Sequence, residues 1–301
     1  MEQEKPLVTI FAISHKHKQF LWKTLESIRV QTYSNIELII LDNASNDGSV
    51  EEIQTWISQT GYPCNLIINP QPYPVTKNCN ICLSFAKGKY VQGIACDDIL
   101  MPDKIKAQVG LFEKLDEMYA CIYTDVLKID ETGKIISTES EFSRLKRILQ
   151  IEEMPSGSLI NELSERPFIH APSVLCRTSA LKNVGGYNEL LVYEDWAMWI
   201  ELSKHGYLFA PLNEITVHYR ILSDSLDRKR TINFYASTIY IFRKNRKFLN
   251  MKLKGAQRQW LWSILQMSKF SFIKASKEYV LFILEMRKLG IKHFIALYRH
   301  K

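Results

Sequence analysis

Gly88-Lys89-Tyr90-Val91-Gln92-Gly93-Ile94-Ala95-Cys96-Asp97-Asp98-Ile99-Leu100-Met101-Pro102 is the stretch on which the reading of the chain turns. Tyr90 to Ala95 is a short apolar run opened by a glycine, long enough for a buried strand and too short for a core helix. Two adjacent carboxylates then end it. Like charges side by side repel, so a buried pair needs a cation or a set of donors to hold it. Hard oxygen ligands at the carboxyl end of a strand suit Mg²⁺ or Mn²⁺, ions that bind through one or two carboxylates together with substrate phosphates. That is a nucleotide site in outline. The spacing is equally consistent with Asp97 and Asp98 capping a helix that begins near Pro102.

The flanking residues decide between these. Upstream, residues 7–13 form a strand of the buried type, followed by Ser14-His15-Lys16-His17 and a helical run to about residue 30. No glycine occurs before Gly48. A Rossmann dinucleotide fold or a sugar-phosphate nucleotidyltransferase needs a glycine-rich phosphate turn after its first strand, so both are disfavoured. Residues 36–41 are the second strand, ending in Asp42-Asn43-Ala44-Ser45-Asn46-Asp47-Gly48-Ser49, a polar turn leading into an amphipathic helix through residue 57. Residues 66–68 are the third. After a proline-rich loop at 69–74, Thr76 can cap a helix that runs to Lys87 and stops at Gly88. Strands alternating with helices at this spacing imply a mostly parallel sheet with helices on both faces, which binds ligands at the carboxyl ends of its strands. Asp42, Lys77, Asn78, Asp97 and Asp98 all fall near that edge.

Downstream, Gly185-Gly186-Tyr187 is a loop, and residues 194–205 form a helix ended by Gly206. Glu194 and Asp195 sit in its first turn, where the dipole favours anions; acidic first turns are also commonplace in ordinary helices. A strand at 215–217 precedes His218-Tyr219-Arg220. The His could complete a metal shell and the Arg could clamp a diphosphate, and a half-buried strand histidine without a ligand is the plain alternative.

With 301 residues, 46% of them apolar and 24% charged, the chain has material for one large α/β domain and an appendage. The six cysteines are scattered through apolar runs, and no secretory pattern opens the sequence, so reduced thiols in a cytoplasmic protein are expected. Cys79-Asn80-Ile81-Cys82 has redox spacing but no second pair and no nearby histidine, which favours core packing. No window is apolar enough to span a membrane.

Taken together, Leu7-Val8-Thr9-Ile10, Glu37-Leu38-Ile39-Ile40-Leu41-Asp42 with Asp47-Gly48-Ser49, Lys77-Asn78 ahead of Ala86-Lys87-Gly88-Lys89-Tyr90, Asp97-Asp98, and Tyr193-Glu194-Asp195-Trp196 resemble an inverting family 2 glycosyltransferase of the GT-A fold. The resemblance covers residues 6 to about 222. It implies a GT-A type sheet flanked by helices and a metal-dependent transfer from a nucleotide-sugar, most commonly UDP-linked, to a hydroxyl of a glycan or lipid-linked saccharide. It places Thr9 and Asp42 against the uridine, with Lys77 and Asn78 close to the nucleotide. The commonest family form has a further Asp where this chain has Ala95, so metal ligation passes to Asp98 and a ribose or second contact to Asp97. Asp195 is the implied base, Glu194 orients the acceptor or its loop, His218 is a candidate metal ligand and Arg220 a candidate nucleotide contact. His170 is a further acceptor-side candidate, and Trp196 and Trp199 could stack on sugar rings. A nucleotidyltransferase, or a module that binds nucleotide-sugars without turnover, are the rival readings.

Residues 223–301 stand apart: 18 Lys and Arg against 4 Asp and Glu give them a net charge of +14, whereas the whole chain carries +7. Their long helical patterns also hold Trp260, Trp262, Phe270, Phe272, Phe282, Phe294 and Tyr298. Basic amphipathic helices suit an anionic membrane surface, here the inner face of the plasma membrane. The alternative is that the apolar faces pack on the catalytic domain or on a second subunit of a homodimer. Nucleic acid is a weaker match, because no recognised binding motif accompanies the charge.

Overall fold

A computed structural model of the chain describes residues 5–223, 231–250, 254–269 and 271–288. The amino-terminal half alternates strand and helix: β1 (Val8–Ser14), α1 (Lys18–Arg29), β2 (Ile36–Asp42), α2 (Ser49–Thr60), β3 (Cys64–Ile68), α3 (Val75–Phe85) and β4 (Tyr90–Ala95). Next come β5 (Ile99–Leu100), α4 (Lys104–Phe112), β6 (Tyr119–Ile129), α5 (Glu141–Leu149), α6 (Ile160–Glu165), a 3₁₀ turn at Ala171–Ser173, β7 (Val174–Arg177) and α7 (Thr178–Asn183). The chain continues through α8 (Asp195–Lys204) and β8 (Leu208–Arg220) to α9 (Ile232–Asn245), α10 (Lys254–Ser268) and α11 (Phe272–Lys288).

All eight strands join one sheet in the order β3-β2-β1-β4-β7-β6-β8-β5. β1 to β4 are mutually parallel, β7 is antiparallel to both β4 and β6, and β8 runs parallel to β6. The carboxyl ends of β1, β2, β4, β6 and β8 therefore share one edge, and β7 begins there. β1 is covered on both faces, which is why it reads as a continuous apolar run. Val8, Ile10 and Ala12 point into one core with Leu21 and Leu25 of α1 and Trp56 of α2. Phe11 points into the other, with Cys79 and Leu83 of α3 and Trp196 and Trp199 of α8.

Three local expectations are corrected. Asp97 and Asp98 do not cap a helix near Pro102, because β5 intervenes and α4 starts only at Lys104 behind Asp103. Thr76 is not a cap either: α3 begins at Val75 after Pro74, and the buried Thr76 hydroxyl donates to the Leu191 carbonyl at 3.2 Å. The strand expected at 215–217 extends over all of β8, since it pairs with β6 along its length, so His218 and Arg220 lie within it.

The carboxyl-terminal helices share the second core. Phe242 of α9 meets Trp196 of α8 with ring centroids 5.6 Å apart, Trp260 of α10 stacks on Phe242 at 6.0 Å, and Phe282 of α11 meets Trp260 at 5.4 Å. Trp260 and Phe282, offered above as lipid contacts, are thus buried in protein. Phe270, Phe294, Tyr298 and the side chain of Phe272 lie outside the described residues. Among those described, no helix is long and apolar enough to cross a membrane.

Candidate active site

β2 ends at Asp42, whose carboxylate is fully buried at the sheet edge. Its Oδ1 accepts from the Ser45 amide at 2.8 Å, while Oδ2 has no partner among the described residues. Next to it, Asn43 accepts from the Tyr73 amide (2.8 Å) and the Asn69 amide group (3.0 Å) and donates to the Tyr73 carbonyl (3.0 Å). Asn69 also donates to Asn78 Oδ1 at 2.8 Å. Asn78 is buried within this network, so it shapes the 69–74 loop from beneath. Lys77, one position earlier on α3, is partly exposed and lies 3.7 Å over the Tyr73 ring. On the other side of Asp42 the β1–α1 loop is pinned by His15 Nδ1–H to the Asn43 carbonyl (3.0 Å) and by the Lys16 amide to Ser45 Oγ (2.9 Å). An open cavity of about 410 Å³ lies there, lined by Lys16, Lys18, Gln19 and Asp47.

Thr9 is elsewhere. It is the second residue of β1, five positions before the carboxyl end, so at about 3.3 Å per residue it lies deep below the nucleotide edge. Fully buried, it donates to Glu37 Oε2 at 2.6 Å and accepts from the Gly88 amide at 2.9 Å. It holds the foot of β4 and cannot touch a base.

The acidic turn follows β4. Asp98 is 2% exposed, and its Oδ1 accepts from the backbone amide of Arg220 at 2.8 Å. Burial, and then the charge of Asp97, push its carboxyl well above the usual range against the pull of Arg220. The turn is braced further by the Thr24 hydroxyl, which donates to the Asp98 carbonyl at 2.7 Å. Arg220 is built into this turn: Nε donates to the Asp97 carbonyl (2.7 Å), Nη1 donates to the carbonyls of Asp130 (2.7 Å) and Glu131 (3.1 Å), and the guanidinium lies 4.5 Å over Phe20. Its buried Nη2 has no partner among the described residues. His218 stands opposite Ile99 in the β5–β8 pair, and burial lowers its pKa. Among the described residues, no three His, Cys, Asp or Glu side chains form a ready-made metal centre.

Glu194 and Asp195 open α8, and the topology brings them to the same edge. β8 starts just after α8 and at the foot of the sheet, where Leu208 faces Tyr119, so α8 runs down from the edge and its amino end is at the top. Glu194 is pushed up to about 8 by burial and by the charge of Asp195. Asp195 Oδ1 accepts from the Trp196 amide at 2.6 Å. The loop before the pair is fastened by α9: the Val192 amide donates to Ser237 Oγ at 3.2 Å, and Tyr193 and Thr238 hydroxyls meet at 2.9 Å. Trp196 and Trp199 are buried, with their indoles donating to the carbonyls of Leu163 (2.8 Å) and Ile169 (3.4 Å). They are core residues and present no face to a sugar.

One group escaped the sequence reading apart from its histidine. Glu141, buried at the start of α5, pairs with Lys128 at 2.8 Å, with Arg144, and with His170 Nε2 at 3.8 Å. Burial alone would raise its carboxyl; the contacts with His170, Arg144 and Lys128 outweigh that and hold it well below the usual range. His170 in turn lies 4.9 Å from the ring of Tyr219, which adjoins Arg220. Nothing in the spacing of residues 128, 141, 144 and 170 signals this cluster in advance.

Comparison with known proteins gives a consistent result. Relatives include EpsE of Bacillus subtilis (strain 168), 26% identical over 245 residues that make up 80% of this chain and 83% of that protein. Another is the uncharacterized glycosyltransferase MJ1057 of Methanocaldococcus jannaschii, 25% identical over 228 residues, 73% of this chain and 72% of that one. In fold, the chain is similar to S. aureus TarS 1-349 in complex with UDP-GlcNAc, with a TM-score of 0.65 at 13% identity, covering 88% of this chain and 73% of that one. It is also similar to the mannosyltransferase PcManGT from Pyrobaculum calidifontis in complex with GDP-Man and Mn²⁺, with a TM-score of 0.64 at 15% identity over 99% and 82% of the two chains. The model of glycosyl transferase family 2 matches residues 9–171, more than half of the 301 residues. The chain belongs to glycosyl transferase family 2 and is a glycosyltransferase of the GT-A fold.

Proposed function

We propose that this enzyme is a metal-dependent, inverting glycosyltransferase that moves a sugar from a nucleotide-sugar, UDP-linked in the first instance, to a hydroxyl of a glycan or lipid-linked saccharide at the cytoplasmic face of a membrane. The observation that carries this reading is the convergence on one sheet edge of an unpartnered Asp42 oxygen, the Asp97–Asp98 turn and the Glu194–Asp195 pair. Asp42 Oδ2 suits an N–H of a nucleobase, which both uracil and guanine offer. Lys77, reaching out from α3, suits the phosphates. Residues 1–222 form the catalytic part on this reading, and 223–301 the helical support.

The acidic turn suits a hard divalent cation: Asp98 and Asp97 would supply carboxylate oxygens and the diphosphate the remaining ligands, and the raised Asp98 is the group whose ionised form a bound cation would favour; His218 does not group with them into a three-residue centre. When bound, Mn²⁺ or Mg²⁺ would neutralise charge on the departing diphosphate. Burial and the charge of Asp195 push Glu194 up to about 8, so Glu194 keeps its proton at neutral pH and Asp195 is the candidate base. Asp195 takes the acceptor's hydroxyl proton while the acceptor oxygen bonds to the anomeric carbon. The bond from that carbon to the phosphate oxygen breaks, its electron pair leaves with the nucleoside diphosphate, and the configuration inverts. Glu194, still protonated, donates a hydrogen bond that orients the acceptor. Arg220 shapes the metal turn from behind.

The test is incubation of the purified protein and Mn²⁺ with a panel of UDP- and GDP-sugars. Release of UDP or GDP from one donor is expected. If no donor yields nucleotide and calorimetry detects neither UDP nor GDP binding, the reading fails.

A further inference from the structure

α11 has two unlike sides. Ala275 and Phe282 are buried against α10, and Glu278 pairs with Arg243 at 3.0 Å. On the opposite side Ile273 is 71% exposed, Val280 57%, Leu284 47% and Leu281 43%. Spacings of seven and four residues align Ile273, Val280 and Leu284 in one stripe, with Lys277 between them and Leu281 on its far side. Single exposed apolar residues need no explanation; an aligned set on one helix marks an interaction surface. Its surroundings are basic: Lys274 and Lys277 are exposed on α11, and Lys269 on the turn before it. The sequence after α11, residues 289–301, adds Lys292, Arg299 and Lys301 and no acid.

We infer that this stripe is a lipid-docking face, through which the enzyme lies on an anionic membrane surface. The inference deepens the proposal of a membrane-side acceptor by naming the residues that meet the lipid. Charge selects the occupant: an apolar stripe that carries Lys277 and is flanked by Lys274 complements acyl chains beneath anionic headgroups, whereas a second copy of this chain would bring its own excess of positive charge to the same face. The buried tail aromatics play no part in it. Because α9 to α11 complete the core around Trp196, the face has to be tested in the full chain, not in one shortened near residue 223.

The experiment is co-sedimentation of the full chain with phosphatidylcholine vesicles, with and without phosphatidylserine, over a range of salt. The wild type should bind the anionic vesicles at low salt and detach as salt rises. Val280→Asp with Leu284→Asp should weaken binding about tenfold or more while leaving the thermal melt unchanged, because both sites are exposed. Lys274→Gln with Lys277→Gln should weaken it about thirtyfold at low salt, roughly fivefold per charge, and converge with wild type at high salt. Wild-type binding by the Asp double variant, or no binding by the wild type, overturns the inference. A wild-type dimer that this variant dissolves, without vesicle binding, also overturns it and assigns the stripe to a second copy. Nucleotide release from a soluble donor is measured on the same samples: its failure sinks the catalytic proposal and leaves the sedimentation result standing.

Discussion

Two acidic pairs stand on one sheet edge, and their surroundings are opposite in kind. Asp97 and Asp98 follow a strand and are gripped from far along the chain, with the Arg220 amide on one carboxylate, its guanidinium on the Asp97 carbonyl and the Thr24 hydroxyl on the Asp98 carbonyl. Glu194 and Asp195 open a helix, in a buried setting where Glu194 is pushed up to about 8. The first arrangement fixes a carboxylate oxygen of Asp98 in place, as a cation site would need. The second raises the proton affinity of one carboxyl beside another, as proton transfer would need. Adjacent acids in a sequence thus say little about role; the groups that the fold brings to them decide it.

The sharpest way to break the contrast is Asp195→Asn. If this pair moves the proton, turnover should fall by roughly 10²- to 10⁴-fold while UDP affinity, measured by calorimetry, stays near wild type. Next in size, Asp98→Asn should remove about tenfold or more of the strengthening that Mn²⁺ gives to UDP binding; equal affinities with and without Mn²⁺ in both proteins would separate the turn from any cation. Arg220→Met tests the grip itself. With the carbonyls of Asp97, Asp130 and Glu131 left unpaired, urea denaturation should show a loss of about 2–4 kcal/mol. The smallest effect concerns pH. Glu194 keeps its proton in the folded state up to about 8 and releases it near 4.5 when unfolded, so between those values the native state holds the extra proton and stability falls as pH rises. Glu194→Gln should flatten that slope in melting curves taken from pH 4.5 to 8, and an unchanged slope would move the titration to another group.

How far these features could be read in the sequence depends on sequence distance. β1 to β4 were legible because each strand is a short apolar run bounded by turn residues, and parallel pairing buries it on both faces. The edge positions of Asp42 and Asp98 followed from that alternation; that of Asp195 did not, and comes from α8 running down to the foot of β8. Thr9 was misplaced because a motif match gives order along the chain, not depth along a strand. Asn78 was assigned to the ligand by the family resemblance and Arg220 by its guanidinium, and both are engaged in holding loops, Asn78 through Asn69 and Arg220 through backbone carbonyls. The Glu141 cluster left no local trace, since its members come from β6, α5 and the segment before β7.

The fastening of the Val192–Tyr193 backbone and side chain to Ser237 and Thr238 bears on the order in which the protein is made. A chain emerging amino end first can assemble β1 to β4, and with them the nucleotide edge, from contacts between near neighbours. The Asp98 turn waits for Arg220, 122 residues later, and the loop carrying the acidic pair waits for α9. Local contacts form fast and distant ones slowly, so the edge at Asp42 is assembled before the acidic pair is fastened. A chain interrupted before residue 231 would carry the edge of β1 to β4 without the α9 hydroxyls that fasten the loop before Glu194 and Asp195.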